Sequence, residues 1–369
     1  MPQNTSEHIS RLSRNDLSSD LYQNLVKSLF NISTEKATRR LQYLEWILDK
    51  NPALPLTEDL PIYIYWVGSN PVGQLIIIPV ELIIEGQPIK GGWAVDFYLL
   101  KEYQRGGIGK KLLDAVYQDF PLLMAVANSK ASFGLFEKLR WNQNAPMTCY
   151  TKMLNPEYSI PKKGLHLFNR VIQKLGLNVQ IKLDYLKPAT QNSVLPDKSL
   201  FEPVNSFENI DLSSSFKSIS DKNTAYIPRS KAFLQWRYFS NPFAKYNAHH
   251  IRTNKDNEAY IIWRMIDDPL WCRAVVVDIL SAHEISTSHL QTMLDLFIKY
   301  ASSQGAERFE CITNNSKVLD ALPQGILAES SIVSWFLYGM MDMKQCPTIE
   351  SWEIFAGDCD VDAVKTHKE

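Results

Sequence analysis

A glycine-rich stretch decides the fold expected for this chain, and it reads Tyr103-Gln104-Arg105-Gly106-Gly107-Ile108-Gly109-Lys110. An apolar, β-favouring run from Trp93 to Leu100 precedes it, and an amphipathic helical pattern from Lys110 to Asp119 follows it. A strand, a glycine turn and a helix N-terminus together present unpaired backbone N–H groups and the positive end of the helix dipole. Because phosphate oxygens bind at such a place, the stretch predicts a phosphate or pyrophosphate site.

Single residues exclude two commoner glycine loops. The dinucleotide fingerprint needs a third glycine three residues after Gly109, where this chain has Leu112. The nucleoside-triphosphate loop needs Ser or Thr after Gly-Lys to hold magnesium, but Lys111 follows Lys110. The pattern that remains is Gln104, two residues, Gly107, one residue and Gly109.

This remaining pattern resembles the coenzyme A loop of the GNAT acyltransferases, whose backbone amides hold the pyrophosphate of acetyl-CoA. The order of elements around it matches as well, since a strand pattern at 122–126, Asn128 and a short helix pattern at 131–139 follow the loop. The resemblance implies acetyl-CoA as acyl donor, held by the loop and by the strand before it. The cofactor-binding residues that it implies are Phe97, Tyr98, Leu99, Gln104, Arg105, Gly106, Gly107, Ile108, Gly109, Lys110 and Asn128.

A repeat also runs through the chain. Three landmarks recur in the same order, each inside a short matching segment, and this order predicts a tandem duplication. With the resemblance, it predicts an α/β (α+β) fold of two tandem GNAT-like domains, each a mostly antiparallel mixed sheet flanked by helices. The matched pairs are Trp46 and Trp236, Asp96 and Asp278, and Asn128 and Asn315.

The two copies are not equivalent. After Asp278 the chain continues through residues 281–286 without a glycine, so the second copy is predicted to be degenerate and to lack a pyrophosphate site. It either shapes the acceptor site or is structural. The expected parts are 1–155, an N-terminal GNAT domain binding acyl-CoA; 156–200, a linker with an amphipathic basic helix; 201–345, the C-terminal domain; and 346–369, an acidic tail. The tail is expected to be loosely held, with partial docking suggested by Trp352 and Phe355. The linker helix is expected to pack between the domains or to lie on a membrane surface.

Composition excludes several classes of function. A net charge of −1 over 369 residues gives no concentrated basic surface of the kind that a nucleic-acid partner needs. Five dispersed cysteines form no CxxC pair, which predicts neither a disulfide framework nor a metal site and favours the cytoplasm. No apolar run approaches the ~18 residues of a membrane-spanning helix. The sequence carries no signal for an oligomeric state.

Acyl transfer from a thioester to an amine needs aligned reactants, a proton acceptor for the amine and polarisation of the thioester carbonyl. Two carboxylates are the candidate catalytic bases: Asp96 beside the cofactor-binding strand, and Glu81 in the preceding strand. A structural role for Asp96 is the alternative, since Asp278 repeats it in the copy without glycines. The resemblance also implies a tyrosine that protonates the leaving thiolate, but this chain has Phe136 at the matching position.

The expected function is an enzyme: an acetyltransferase that acts on a small-molecule amine by direct attack of the amine on the thioester. The segment that ends at Pro242 resembles two-domain GNAT proteins of bacterial polysaccharide biosynthesis, which points to an amino sugar as acceptor. Two alternatives stay open. One is a Fem-type aminoacyltransferase, whose family shares the duplicated fold but lacks a good coenzyme A loop, and the other is a non-catalytic CoA-binding sensor or scaffold. His249 and His250 alternate on a predicted strand, so at most one faces an acceptor groove.

Overall fold

The computed structural model describes residues 6–17, 20–56, 59–126, 129–154, 200–210, 212, 224–253, 258–267, 271–281, 285–347, 349 and 351–359. The expected linker at 156–200, apart from Leu200, lies outside these residues, as do Asn128 and residues 360–369. The strands are β1 (Glu7–Leu12), β2 (Leu60–Val67), β3 (Asn70–Ile84), β4 (Gln87–Leu99), β5 (Leu122–Ala125), β6 (Asn142–Met153), β7 (Phe201–Val204), β8 (Thr224–Tyr226), β9 (Asn247–Arg252), β10 (Glu258–Asp267), β11 (Cys272–Ser281), β12 (Arg308–Thr313), β13 (Leu327–Gly339) and β14 (Ser351–Glu353).

Eight α-helical segments accompany these strands in the described residues. They are α1 (Arg14–Leu17), α2 (Asp20–Phe30), α3 (Thr34–Leu44), α4 (Ile108–Val116), α5 (Lys130–Lys138), α6 (Lys231–Leu234), α7 (Thr287–Ser303) and α8 (Ser316–Asp320). Helices α3 and α6 each continue into one π-helical turn, Glu45–Asp49 and Gln235–Phe239 respectively. None of the helices in the described part is both long and apolar enough to cross a membrane.

The strands form one mixed sheet in the order β1-β2-β3-β4-β5-β13-β6-β12-β11-β10-β9-β7, with β8 joined to β3 and β14 joined to β8. Parallel pairing occurs between β4 and β5, between β11 and β12, and between β8 and β14, while the other pairs are antiparallel. Helices flank the sheet. The predicted fold class, α/β with a mostly antiparallel mixed sheet, is therefore confirmed.

The chain has two halves, the first with β1–β6 and the second with β7–β14. These halves exchange their last long strands, β6 and β13. β13, from the second half, lies between β5 and β6 of the first half, where Tyr338 pairs with Met124 and also with Asn142. β6 in turn pairs on its other side with β12, which places Cys149 opposite Ile312. Each half thus completes the sheet of the other, and the sheet runs continuously through both.

Side-chain alternation divides the core between the two faces of this sheet. Ile76 of β3 and Val277 of β11 belong to one large apolar cluster that covers both halves on the same face. On the opposite face, Ile77 packs in a cluster with α4, whereas Val276 packs in a separate cluster with α7. One face therefore joins the halves, and the other face gives each half its own helix layer.

The joined face is centred on two tryptophans that the sequence matched to each other. Trp46 donates its indole N–H to the backbone carbonyl of Trp236 at 3.2 Å, and Trp236 donates to the carbonyl of Trp46 at 2.8 Å. Their rings stack with centroids 5.7 Å apart. The Asn-Pro that follows each π-turn also repeats its geometry, since the side chains of Asn51 and Asn241 each accept an N–H two residues later at 2.9 Å.

Within the expected tail at 346–369, residues 351–359 are docked on the fold, and Trp352 and Phe355, which suggested partial docking, are both buried. Residues 351–353 form β14, and Trp352 is 2% exposed against Phe336 and Tyr338, with ring centroids 4.7 and 5.0 Å away. Asp358 is also buried. The apolar residues in the segment bury enough surface to dock it, and a buried arginine pairs with Asp358.

Replacing Trp46 or Trp236 by Phe should lower the free energy of unfolding by about 1–3 kcal/mol, because each change leaves one buried carbonyl without its donor. In urea titrations, the double substitution should deviate from the sum of the single effects by about 0.5 kcal/mol or more, since the two residues touch. Trp66→Phe is the control, because its indole bonds Ser10 instead and should combine additively with Trp46→Phe. An additive Trp46–Trp236 pair would contradict direct coupling.

Candidate functional site

The glycine-rich loop joins the end of β4 to the start of α4. Gly107 is the N-cap of α4 with φ +81°, and Arg105 also has a positive φ of +69°. Gly106 and Gly107 are exposed, whereas Ile108 and Gly109 are buried at the first turn of the helix. The first amides of a helix have no partner within the helix, so they and the helix dipole are directed at the space beside the loop.

Glycine is needed at positions 107 and 109 of the pattern for two different physical reasons. A Cβ at Gly107 would meet nothing within 4 Å, so glycine is required there by its left-handed backbone and the space beside it is open. A Cβ at Gly109 would lie 2.9 Å from Leu135 Cδ2 and 3.3 Å from Phe97 Cζ. Gly109 therefore lets α4 pack closely against β4 and α5.

Polar side chains fix the loop and surround it with positive charge. Gln104 donates to the carbonyl of Leu99 at 3.1 Å, which ties the loop to the end of β4. Lys110 lies at the helix start and pairs with Asp114 at 2.6 Å, one turn later. Arg105 is exposed in the loop itself. Arg105 and Lys110 thus lie at the loop, in positions that favour an anionic ligand.

Strands β4 and β5 separate directly below the loop. They pair in parallel only over Gly91–Trp93, opposite Leu122–Met124, and β5 ends at Ala125 while β4 continues to Leu99. β3 pairs with the other edge of β4 as far as Leu99. On the β5 side, no strand of the described part pairs with residues 97–99, so the backbone groups that β4 directs to this side face the opening, apart from the Leu99 carbonyl, which accepts from Gln104.

Asp96 lies in a β-bulge of β4 at this opening. Between the pairs Ile76–Val95 and Gln74–Tyr98, β4 has one more residue than β3, and Asp96 has φ +49°. The side chain of Asp96 forms an ion pair with Arg40 of α3. Sequence reasoning missed Arg40, because its partner lies 56 residues later in the chain and no local pattern marks it.

The other candidate base is not brought to the loop. Glu81 is exposed in β3 opposite Lys90 of β4. Lys90 precedes Asp96 by six positions along the strand, a distance of about 20 Å at ~3.3 Å per residue. Of the two carboxylates, only Asp96 borders the opening between β4 and β5.

Phe136 is part of the core rather than of an open site. It is 1% exposed and stacks on Trp141 with ring centroids 4.1 Å apart. Tyr22 is a second buried ring near the bulge, where its hydroxyl donates to Gln74 at 3.4 Å. Burial raises the pKa of Tyr22 to about 12, so this hydroxyl is neutral near pH 7 and serves as a hydrogen-bond donor.

In the second half, Asp278 is fully enclosed. Arg229 donates to it at 2.7 and 3.2 Å and also binds Asp358, while Tyr238 donates to Asp278 at 2.7 Å. Burial raises the pKa of Tyr238, which keeps its phenol protonated as a donor. The side chain of Asp278 is therefore closed to solvent, whereas that of Asp96 is partly exposed. The described residues contain no cluster of three or more His, Cys, Asp or Glu side chains placed to hold a metal ion.

No protein-family model matches the sequence, and neither does any curated protein. Among solved structures, the chain is similar to a GCN5-related N-acetyltransferase from Anabaena variabilis (TM-score 0.57, 13% identity, 91% of this chain and 73% of that one). It is also similar to a probable N-acyltransferase from Enterococcus faecalis (TM-score 0.55, 11%, 92% and 73%). A third is N-myristoyltransferase from Saccharomyces cerevisiae with bound myristoyl-CoA and inhibitors (TM-score 0.50, 13%, 92% and 81%).

The chain has the GNAT fold. At 11–13% identity, the similarity to these structures is a similarity of fold. The loop, the separated strands and the bulge lie together at one end of β4 in this fold.

Arg229→Met should be far more damaging than Arg40→Met. Arg229 and its two carboxylates are almost completely buried, so its removal leaves uncompensated buried charge and should cost about 3–5 kcal/mol of unfolding free energy. Arg40 and Asp96 are 20% and 35% exposed, so water screens the loss there and the cost should be smaller. Urea unfolding of the two variants measures both. Equal destabilisation would contradict the structural assignment of the Asp278 cluster.

Proposed function

We propose that this protein is an acyl-CoA-dependent N-acyltransferase. One observation carries the proposal: the opening between β4 and β5 lies directly beside the glycine loop and the N-terminus of α4. The helix amides would bind the pyrophosphate of coenzyme A, and the free edge of β4 would bind the amides of its pantetheine arm. A thioester attached to that arm would then reach the bulge at Asp96.

The reaction that fits this arrangement is direct transfer. An uncharged amine attacks the thioester carbonyl, a C–N bond forms, the C–S bond breaks, and the thiolate leaves as coenzyme A. Alignment of the two reactants supplies much of the rate, and no covalent intermediate with the enzyme is needed. The residues proposed for cofactor binding remain Phe97, Tyr98, Leu99, Gln104, Arg105, Gly106, Gly107, Ile108, Gly109, Lys110 and Asn128.

Asp96 is the better supported base of the two carboxylates, because it borders the opening whereas Glu81 lies about 20 Å along the strand. Its carboxylate is engaged by Arg40, so a bridging water is needed to carry the proton of the amine to it. The thiolate takes its proton from solvent or from the protonated nitrogen of the tetrahedral intermediate, since Phe136 has none to give.

Acetyl is the acyl group that the loop resemblance favours, and a small amine, such as an amino sugar, is the acceptor that we propose.

A tandem origin is also part of the proposal. The reciprocal Trp46–Trp236 bonds, the two π-turns and a β-bulge at Asp96 and next to Asp278 support it.

A CoA-binding sensor without catalysis is the second candidate, favoured by the buried Phe136 at the position implied for an acid. The aminoacyltransferase alternative has less support, because it gives no reason for a glycine loop at a helix N-terminus. Release of free coenzyme A across a panel of amines separates the enzyme from the sensor. If no amine raises release above hydrolysis, the sensor is favoured.

Gly107→Glu should abolish acetyl-CoA binding, measured by calorimetric titration, because a carboxylate would occupy the open space where the pyrophosphate oxygens are expected. Gly86→Glu is the matched control: Gly86 also has a positive φ, +75°, and open space around it, but it lies in the β3–β4 turn. The control variant has the same backbone strain at a positive φ and should bind acetyl-CoA normally. Absence of binding by the unmodified protein, or equal loss in both variants, would sink the proposal.

Asp96→Asn separates a base from a positioning residue. Asn tolerates a positive φ nearly as well as Asp and keeps a hydrogen-bond acceptor for Arg40, so the bulge should remain folded. If Asp96 accepts the proton, kcat/KM should fall by about 100-fold or more, and the acidic limb of the pH–rate profile should change shape. A loss under about tenfold with an unchanged profile would assign Asp96 to positioning alone.

A further inference from the structure

A second cleft lies in the C-terminal half, away from the loop. It encloses about 920 Å³ and is bounded by β7, the start of β9, the end of β10, the C-terminus of α7 and the segment 241–246. Strand directions place it at the same end of the sheet as the loop. It is six strands from β4 along the sheet order, or roughly 29 Å at ~4.8 Å per strand. Its volume falls within the ~300–1,000 Å³ range of small-molecule sites.

Three side chains form a hydrogen-bonded floor for this cleft. Trp263 donates its indole N–H to Nδ1 of His249 at 3.0 Å, and Nε2 of His249 lies 3.0 Å from the hydroxyl of Tyr300. An indole nitrogen can only donate, so Nδ1 carries no proton and the imidazole is neutral, with its proton on Nε2. Burial lowers the pKa of His249, which agrees with a neutral ring.

The hydroxyl of Tyr300 is therefore a hydrogen-bond donor whose position is fixed by the buried network. Because Nε2 of His249 donates to the oxygen of Tyr300, the hydroxyl hydrogen of Tyr300 is not used by the histidine and can be given to a ligand. The ring of Tyr300 is itself held, since it stacks on Phe201 with centroids 4.6 Å apart and at 13°. His250, on the opposite face of β9, bonds Glu258 instead, so only one of the two histidines faces the cleft.

The rest of the lining limits the charge of a ligand. Of the described residues around the cleft, none carries a carboxylate, and Lys245 is the one cation. Amide side chains at Asn205, Asn247 and Gln304 provide neutral donors and acceptors at the rim. The partly exposed aromatic rings of Phe239 and Phe243 provide apolar surface. This lining disfavours a cation, because nothing in it would compensate a buried positive charge.

We propose that this cleft is a binding site for a neutral, hydroxyl-rich ring, that is, a sugar unit. A sugar ring has an apolar face of C–H groups that packs on aromatic rings and a rim of hydroxyls that both donate and accept. The aromatic lining matches the first feature, while the amides and the Tyr300 hydroxyl match the second. The site is separate from the acyl-CoA opening, and the proposal does not depend on the function assigned to that opening.

Saturation-transfer NMR with N-acetylglucosamine as probe tests this site. We expect saturable binding with a dissociation constant in the millimolar range. Tyr300→Phe should weaken it about fivefold or more, because the aimed donor is lost while the ring remains. Gln304→Ala, an exposed change that cannot disturb the core, should weaken it as well. Tyr65→Phe is the matched control, since it removes a bonded hydroxyl in the first half.

Two further measurements test the charge preference of the cleft and its separation from the acyl-CoA opening. Glucosamine, a cation near neutral pH, should bind more weakly than N-acetylglucosamine, and saturating acetyl-CoA should leave sugar binding unchanged. Lack of saturable binding, binding unaffected by both Tyr300→Phe and Gln304→Ala, tighter binding of glucosamine, or displacement by acetyl-CoA would each overturn the proposal.

Discussion

The candidate site depends on how β5 is held. Its pairing with β4 covers only three residues, and a parallel contact of that length cannot keep two strands aligned by itself. The opposite edge of β5 is paired with β13, which the second half of the chain contributes. β4 and β5 can therefore diverge while β5 stays in the sheet, so the opening beside the loop exists because the other half supplies the missing strand.

The same interdependence governs the core. The indole N–H of Trp46 needs the carbonyl of Trp236, and the reverse bond is equally long-range, so neither half alone could satisfy these buried groups. The exchanged strands, β6 and β13, would each be left at an edge in an isolated half. We infer that the protein folds as one cooperative unit, even though its sequence predicts two domains.

What the sequence could predict was local. The loop was readable because Gly107 needs a left-handed backbone and Gly109 needs close packing, and both demands act within one strand–turn–helix unit. The fold class followed from that unit and its neighbours. Long-range partners were not readable: Arg40 for Asp96, the exchanged β13, and the cleft at His249 each join segments far apart in sequence. Trp352 and Phe355 suggested that the C-terminal segment docks, but their partners were not readable for the same reason.

Asp96 and Asp278, which the sequence matches to each other, have different environments. A carboxylate removed from water needs charged and hydrogen-bonding partners on all sides, and Asp278 has them in Arg229 and Tyr238. Such a complete set closes the site, since every acceptor is already occupied. Asp96 has a single cation, Arg40, and remains partly exposed, so it retains the capacity to bond a ligand or a water. The half that contains the glycine loop is therefore also the half whose aspartate can still bond a ligand or a water.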